Sequence, residues 1–227
     1  MNLLPKSSKE FGSVDYWEKF FQQRGKKAFE WYGTYLELCG VLHKYIKPRE
    51  KVLVIGCGNS ELSEQLYDVG YRDIVNIDIS EVVIKQMKEC NATRRPQMSF
   101  LKMDMTQMEF PDASFQVVLD KGTLDAVLTD EEEKTLQQVD RMLAESLRAG
   151  RPSGSLAWMR AGNSWRPVLW PFTEVSSMKA WTTSKLSCRL ESWSWPQLGC
   201  PASSRSPFCL WVGTLGSGPF STKTAAP

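Results

Sequence analysis

Apolar positions in the first 145 residues switch between a helical and a strand period. Trp31, Tyr35, Leu38, Leu42 and Tyr45 recur at steps of three and four, predicting an amphipathic helix that ends before Pro48. Lys51–Ile55 is a short apolar run, predicted as a strand and broken by Gly56-Cys57-Gly58-Asn59. A helix is expected through Leu62, Leu66 and Val69, closed by Gly70. Ile74–Asp78 reads as a second strand, after which Ser80 caps a helix carrying Val83, Met87 and Cys90. Phe100–Asp104 and Phe115–Leu119 read as a third and fourth strand. Thr129 and Glu132 have the spacing of a capping box for a helix through Leu136, Val139 and Leu143. Strand and helix alternate throughout, the pattern of an α/β fold with a parallel sheet covered on both faces.

That pattern fades after Glu145, and composition changes with it. Residues 1–145 hold 24 of the 26 acidic groups and 19 of the 28 basic ones; residues 146–227 hold Glu174 and Glu191 against nine basic groups. The second part also takes seven of nine Trp and eight of 12 Pro, and its tryptophans follow neither period. One run, Phe208–Val212, reads as a possible strand. The expected organisation is therefore a partial domain over 1–145 and a largely disordered tail over 146–227, with the composition of an out-of-frame or alternatively spliced terminus. A stacking surface for single-stranded nucleic acid is disfavoured, because the aromatic and basic residues form no platform. No run of 18 apolar residues suggests a membrane span, and the start carries no secretory pattern. Six cysteines without a CxxC pair suggest reduced thiols in a cytoplasmic or nuclear protein, with no metal site.

The candidate chemistry lies at the carboxyl ends of the strands, where open α/β sheets place their ligands. Gly56 and Gly58 permit a sharp turn and close approach of backbone to a ligand, although a lone GxG is also an ordinary tight turn. Asp78 ends the second strand 20 residues after Gly58, placed to accept the hydroxyls of a ribose. Asp104 ends the third, placed to accept from an adenine amino group; a cap or a solvated loop carboxylate is the plainer reading. Together these residues point to an adenosine-containing cofactor. A dinucleotide site usually has a third glycine where this chain has Glu61, whose charge is unfavourable beside a pyrophosphate. A sulfonium cofactor without phosphates fits better, and a nicotinamide-dependent oxidoreductase is the lesser alternative.

The run Val52–Ser60 with Asp78, Asp104-Met105 and Asp120-Lys121-Gly122-Thr123-Leu124-Asp125-Ala126 resembles the seven-stranded methyltransferases that use S-adenosylmethionine. With Tyr16-Trp17 and Glu30-Trp31-Tyr32 upstream, it is similar to the group within them that methylates elongation factor 1-alpha. The resemblance covers residues 1–145. It implies that Gly56 and Gly58 pass under the methionine portion, Asp78 and Ile79 hold ribose, and Asp104 and Met105 contact adenine. Trp17, Phe21 and Trp31 would line the methionine and substrate side, and Asp120 and Lys121 would close the site as its catalytic pair. Plain packing for Trp31 and an ion pair for Lys121 are the alternatives. The implied reaction is direct methyl transfer to a lysine amine of elongation factor 1-alpha, with neither nucleic acid nor a membrane as partner.

A relative of that family continues with a fifth strand and a long hairpin, whereas Ser146–Pro152 stands here in place of the expected turn. The Rossmann-like sheet is thus expected to be incomplete, with four of seven strands recognisable and the fourth an exposed edge. Such a chain is expected to be unstable or non-catalytic even if it keeps most cofactor contacts.

Overall fold

A computed structural model of the chain describes residues 5, 7–130, 132–159 and 168–172, and it orders the apolar runs into one six-stranded sheet. The strands are β1 (Val52–Ile55), β2 (Ile74–Asp78), β3 (Ser99–Lys102), β4 (Phe115–Lys121), β5 (Gly150–Met159) and β6 (Val168–Pro171), in spatial order β3-β2-β1-β4-β5-β6. The first five run parallel, and β6 pairs antiparallel to β5. The helices are α1 (Val14–Arg24), α2 (Tyr35–Tyr45), α3 (Leu62–Asp68), α4 (Glu81–Asn91), α5 (Thr123–Val127) and α6 (Glu133–Ala149), with a 3-10 turn at Ser8–Gly12.

Both faces of the sheet are covered, as the strand pattern requires. Val52 and Val54 of β1 point into a core with Leu38 and Leu42 of α2, Leu62 and Leu66 of α3, and Val83, Ile84 and Met87 of α4. Leu53 and Ile55 point the other way, onto Val139, Met142 and Leu143 of α6. Successive strand residues face opposite sides, so four consecutive apolar residues serve two layers.

Local signals decide where several elements begin and end. Ser80 Oγ accepts from Val83 N at 3.3 Å, capping α4 as its sequence suggests. Gly70, at φ 115°, follows α3 and donates to Tyr67 O at 3.0 Å. The start of α6 departs from the expected capping box. Glu132 is its N-cap without a side-chain bond, and Asp130 Oδ1 instead accepts from Glu132 N and from Thr135 Oγ1 at 2.6 Å. The helix predicted from Trp31 begins only at Tyr35, because Thr34 and Glu37 form the capping box there. Trp31 thereby lies in the loop before α2.

The largest departure is beyond Glu145. Helix α6 runs through that point, and Arg148 donates to Met108 O at 2.7 Å, Phe110 O at 2.6 Å and Asp112 at 2.8 Å. Strand β5 then pairs with β4 from Val117↔Ser155 to Lys121↔Met159, so β4 is no edge. The four recognisable strands thus become six. The periodicity of β5 is masked by Gly150, Pro152 and Gly154, yet two of these are needed where they stand. A Cβ on Gly150 would meet the Phe172 ring at 2.2 Å, and one on Gly154 would meet Gln116 O at 2.2 Å. Of the tail expected to be disordered over 146–227, residues 146–159 and 168–171 instead belong to α6, β5 and β6, while residues 160–167 and 173–227, with the run Phe208–Val212, lie outside the described residues.

Leu156 of β5 is 2% exposed in the α6-facing core. Leu156→Ala is expected to lower unfolding free energy by about 2–5 kcal/mol in urea denaturation. A loss below about 0.5 kcal/mol, the scale of a surface change, would contradict the placement of β5.

Candidate functional site

Strand β1 is flanked by β2 on one side and β4 on the other, so the connections leave in opposite directions from its carboxyl end. Open α/β sheets bind ligands in the crevice this creates. A cavity opens there, lined by the β1–α3 loop, the ends of β2 and β4, the segment after β3, and an aromatic cover from residues 11–31. Of the sequence-derived candidates, Trp17, Phe21, Trp31, Gly56, Gly58, Asp78, Ile79, Asp104, Met105 and Lys121 all line it. Asp120 does not.

The two glycines are required by the protein itself. Gly56 has φ 60°, and a Cβ there would meet Thr123 Oγ1 at 2.1 Å. Thr123 in turn donates to Ile55 O at 2.9 Å, locking the start of α5 against the end of β1. Gly58 has φ 52°, and its Cβ would point at the Phe21 ring, 3.4 Å away. Room for a ligand is therefore not what excludes a side chain at Gly56, as the sequence pattern suggested; close packing on Thr123 is.

Asp78 ties this loop to β2. Its Oδ2 accepts from Gly58 N at 2.8 Å and its Oδ1 from Ser80 N at 2.9 Å. Burial pushes the carboxyl up to about 6, against the pull of the Ser80 and Gly58 amides. The Cys57 thiol rises as well, through burial and then the neighbouring Asp78, which leaves it protonated and inert. Asp104 lies two residues beyond β3, exposed, with Oδ1 accepting from Thr106 N and Oγ1 at 2.7 Å each. Asp104 thus closes a local turn, the plainer reading, and also lines the cavity.

At the end of β4 the Asp-Lys pair divides. The Asp120 carboxylate turns under α5, accepting from Thr123 N at 2.8 Å and Leu124 N at 3.0 Å. Burial, then the Asp125 carboxylate, push it up to about 7. Lys121 reaches the cavity wall, where its Nζ donates to Glu30 Oε2 at 2.7 Å and Trp31 O at 3.1 Å. The ion-pair reading of Lys121 is therefore met within the site.

Two glutamates of the cover, Glu18 and the Glu30 of the Glu30-Trp31-Tyr32 run, carry contacts that the sequence motifs assign to neither. Glu30 also accepts from Ser60 Oγ at 2.7 Å and from Glu61 N at 2.7 Å, where α3 begins. Glu18 of α1 accepts from Ser80 Oγ at 2.9 Å, Glu81 N at 2.8 Å and Val82 N at 3.2 Å, where α4 begins. Burial opposes ionisation of Glu18, but these three bonds outweigh it and hold its carboxyl below the usual range. Helix starts offer unpaired amides to a carboxylate, which is the one signal that could have marked both residues. Between the two clamps, Phe11, Trp17, Phe20, Phe21, Phe29 and Trp31 pack ring against ring at centroid distances of 4.8–5.9 Å. His43 belongs to a different cluster, bonded to Tyr35 OH at 2.7 Å and Tyr71 OH at 3.1 Å.

Among the described lining residues Lys121 is the basic one, and Glu30 already holds it. No second cation there meets a phosphate. Asn59 donates to Lys27 O at 2.9 Å, while its buried Oδ1 has no protein partner, an acceptor left for a donor-bearing ligand.

Comparison with known proteins agrees with this geometry. Residues 52–146 match a family described as a methyltransferase domain. The eEF1A lysine and N-terminal methyltransferase of Homo sapiens is 99% identical over 145 residues, covering 64% of this chain and 21% of that protein. EEF1A lysine methyltransferase 4 of Bos taurus is 35% identical over 158 residues, covering 66% of this chain and 62% of that protein. A solved structure from echinomycin biosynthesis, concerned with conversion of a disulfide bond into a thioacetal group, superposes with TM-score 0.53 at 20% identity. It covers 66% of this chain and 63% of that one, and shares the fold. The chain spans about a fifth of the length of the eEF1A lysine and N-terminal methyltransferases it matches.

Two outcomes follow from the site's packing. Gly56→Ala is expected to cost more than about 2 kcal/mol in urea denaturation, since it adds left-handed strain to a clash. Adding Thr123→Ala should restore part of that loss; no recovery would mean Thr123 is not the obstacle. Asp120, raised in the folded state, contributes stability that is fully present below about pH 4 and lost as pH rises through about 7. Between those values the chain should lose stability relative to Asp120→Asn, and a constant difference in denaturation midpoint would contradict the assignment.

Proposed function

We propose that this segment of a methyltransferase family binds S-adenosylmethionine beneath its aromatic cover and serves methyl transfer to a protein amine. From the names of its relatives, that amine is a lysine of elongation factor 1-alpha. The observation that supports the reading best is the pairing of Asp78 with Gly58 in a cavity whose one described cation is already neutralised. A carboxylate for ribose without a cation for phosphate suits a sulfonium nucleoside and disfavours a nicotinamide dinucleotide.

Each residue then has a defined task. Asp78 and Ile79 hold the ribose, and Asp104 and Met105 meet the adenine. Gly56 and Gly58 shape the loop beneath the methionine portion, where Asn59 Oδ1 accepts from its ammonium. Trp17, Phe21 and Trp31 present aromatic faces to cationic groups and exclude water. Asp120 acts from below, holding α5 and through Thr123 the glycine loop, so its part is positional. The bound cofactor supplies an electrophilic methyl group. The chain aligns the incoming amine with it and keeps that amine out of water. His43, bonded between two tyrosines, is not among the cavity's lining residues and serves as no base.

S-adenosylhomocysteine at 100 times its Kd should stabilise the full chain by about 2.7 kcal/mol. Ribose hydroxyls donate to the ionised carboxylate, so affinity should rise as pH increases through about 6, where Asp78 loses its proton. Asp78→Ala should abolish both effects, and NADH should produce no shift. Equal stabilisation by NADH, or none by S-adenosylhomocysteine at any pH, would overturn the cofactor assignment. Radiolabelled methyl incorporation into elongation factor 1-alpha then tests the substrate.

A further inference from the structure

Glu30 makes three contacts that join two separate parts of the site. Oε1 takes the Glu61 amide, and Oε2 takes both Ser60 Oγ and the Lys121 ammonium, each at 2.7 Å. The first two donors belong to the cofactor-side loop after β1; the third stands at the end of β4. Glu30 itself belongs to the cover, one residue before Trp31, whose carbonyl is the second acceptor for Lys121. The cover therefore brings to Lys121 both of the oxygens that hold it. With its side chain 6% exposed, Lys121 has little solvent to replace them.

We propose that Glu30 is a positioning residue, which makes closure of the cover and placement of the Lys121 ammonium a single event. The inference rests on the methyltransferase reading for its purpose. A wall cation left unpaired would repel a substrate ammonium approaching the same cavity, and pairing with Glu30 removes that repulsion. Glu18 fastens the same cover at the start of α4 and touches neither Lys121 nor Glu30. Loosening the cover at Glu18 should thus free Lys121 from a distance.

Trace acetylation of the full chain with acetic anhydride, read by peptide mass spectrometry, reports this directly. The readout is Lys121 labelling relative to exposed Lys85 and Lys47. Glu30→Gln should raise that ratio at least tenfold, and Glu18→Gln at least threefold. A purely structural defect would instead abolish the cooperative melt. Should Glu30→Gln fail to fold, Glu18→Gln carries the test alone. An unchanged ratio in Glu30→Gln would show that Glu30 does not hold Lys121. An unchanged ratio in Glu18→Gln would overturn the coupling to the cover. A parallel arm adds S-adenosylhomocysteine to the unsubstituted chain: protection of Lys121 supports the cofactor reading, and its absence counts against that reading alone.

Discussion

Two helix starts, at the ends of β1 and β2, present backbone amides that a strand-to-helix turn leaves without partners. Glu30 and Glu18 fill them from the same stretch of chain. Each bond is charge-assisted, which makes it stronger than a neutral contact, and those from Ser60 Oγ, Ser80 Oγ and Val82 N are also partly buried. Because both acceptors lie on the N-terminal segment, satisfying these amides also draws the aromatic residues over the crevice. Without that closure the crevice would lack one wall and Lys121 would lack its counter-charge. The rest of the site depends on this arrangement.

A second set of contacts fixes the floor. Asp78 binds the glycine loop from β2, and Thr123 packs into Gly56 from the start of α5. Asp120 secures Thr123 from below. The Asp-Lys-Gly-Thr run is thus divided by direction, since neighbouring strand residues point to opposite sides. Lys121 faces the cavity; Asp120 braces the helix that shapes it.

Much of this was legible from residue order. The β1, β2 and β4 runs and the caps at Ser80 and Gly70 follow local rules, and the structure keeps them. Spacing marks Asp78 and Gly58, and their direct bond explains why that spacing works. The spacing of Trp31 fits a helix, yet the Thr34–Glu37 capping box overrides the pattern. Glu18 and Glu30 left no periodic trace, because an acceptor reaching a distant helix start is fixed by tertiary contact. Strand β5 leaves no clear pattern for a similar reason: Gly150 and Gly154 serve close approaches to Phe172 and Gln116, and neither carries a side chain to mark a face. The compositional break after Glu145 is real in the sequence, while α6, Arg148 and β5 carry the fold past it.

A crystal structure of the full chain grown with S-adenosylhomocysteine tests the central claim most directly. The account predicts the ribose on Asp78, the adenine beside Asp104 and Met105, and Glu30 still bonded to Ser60, Glu61 and Lys121 over the bound ligand. A ligand bound elsewhere, or residues 11–31 displaced with Glu18 and Glu30 off their helix starts, would contradict it.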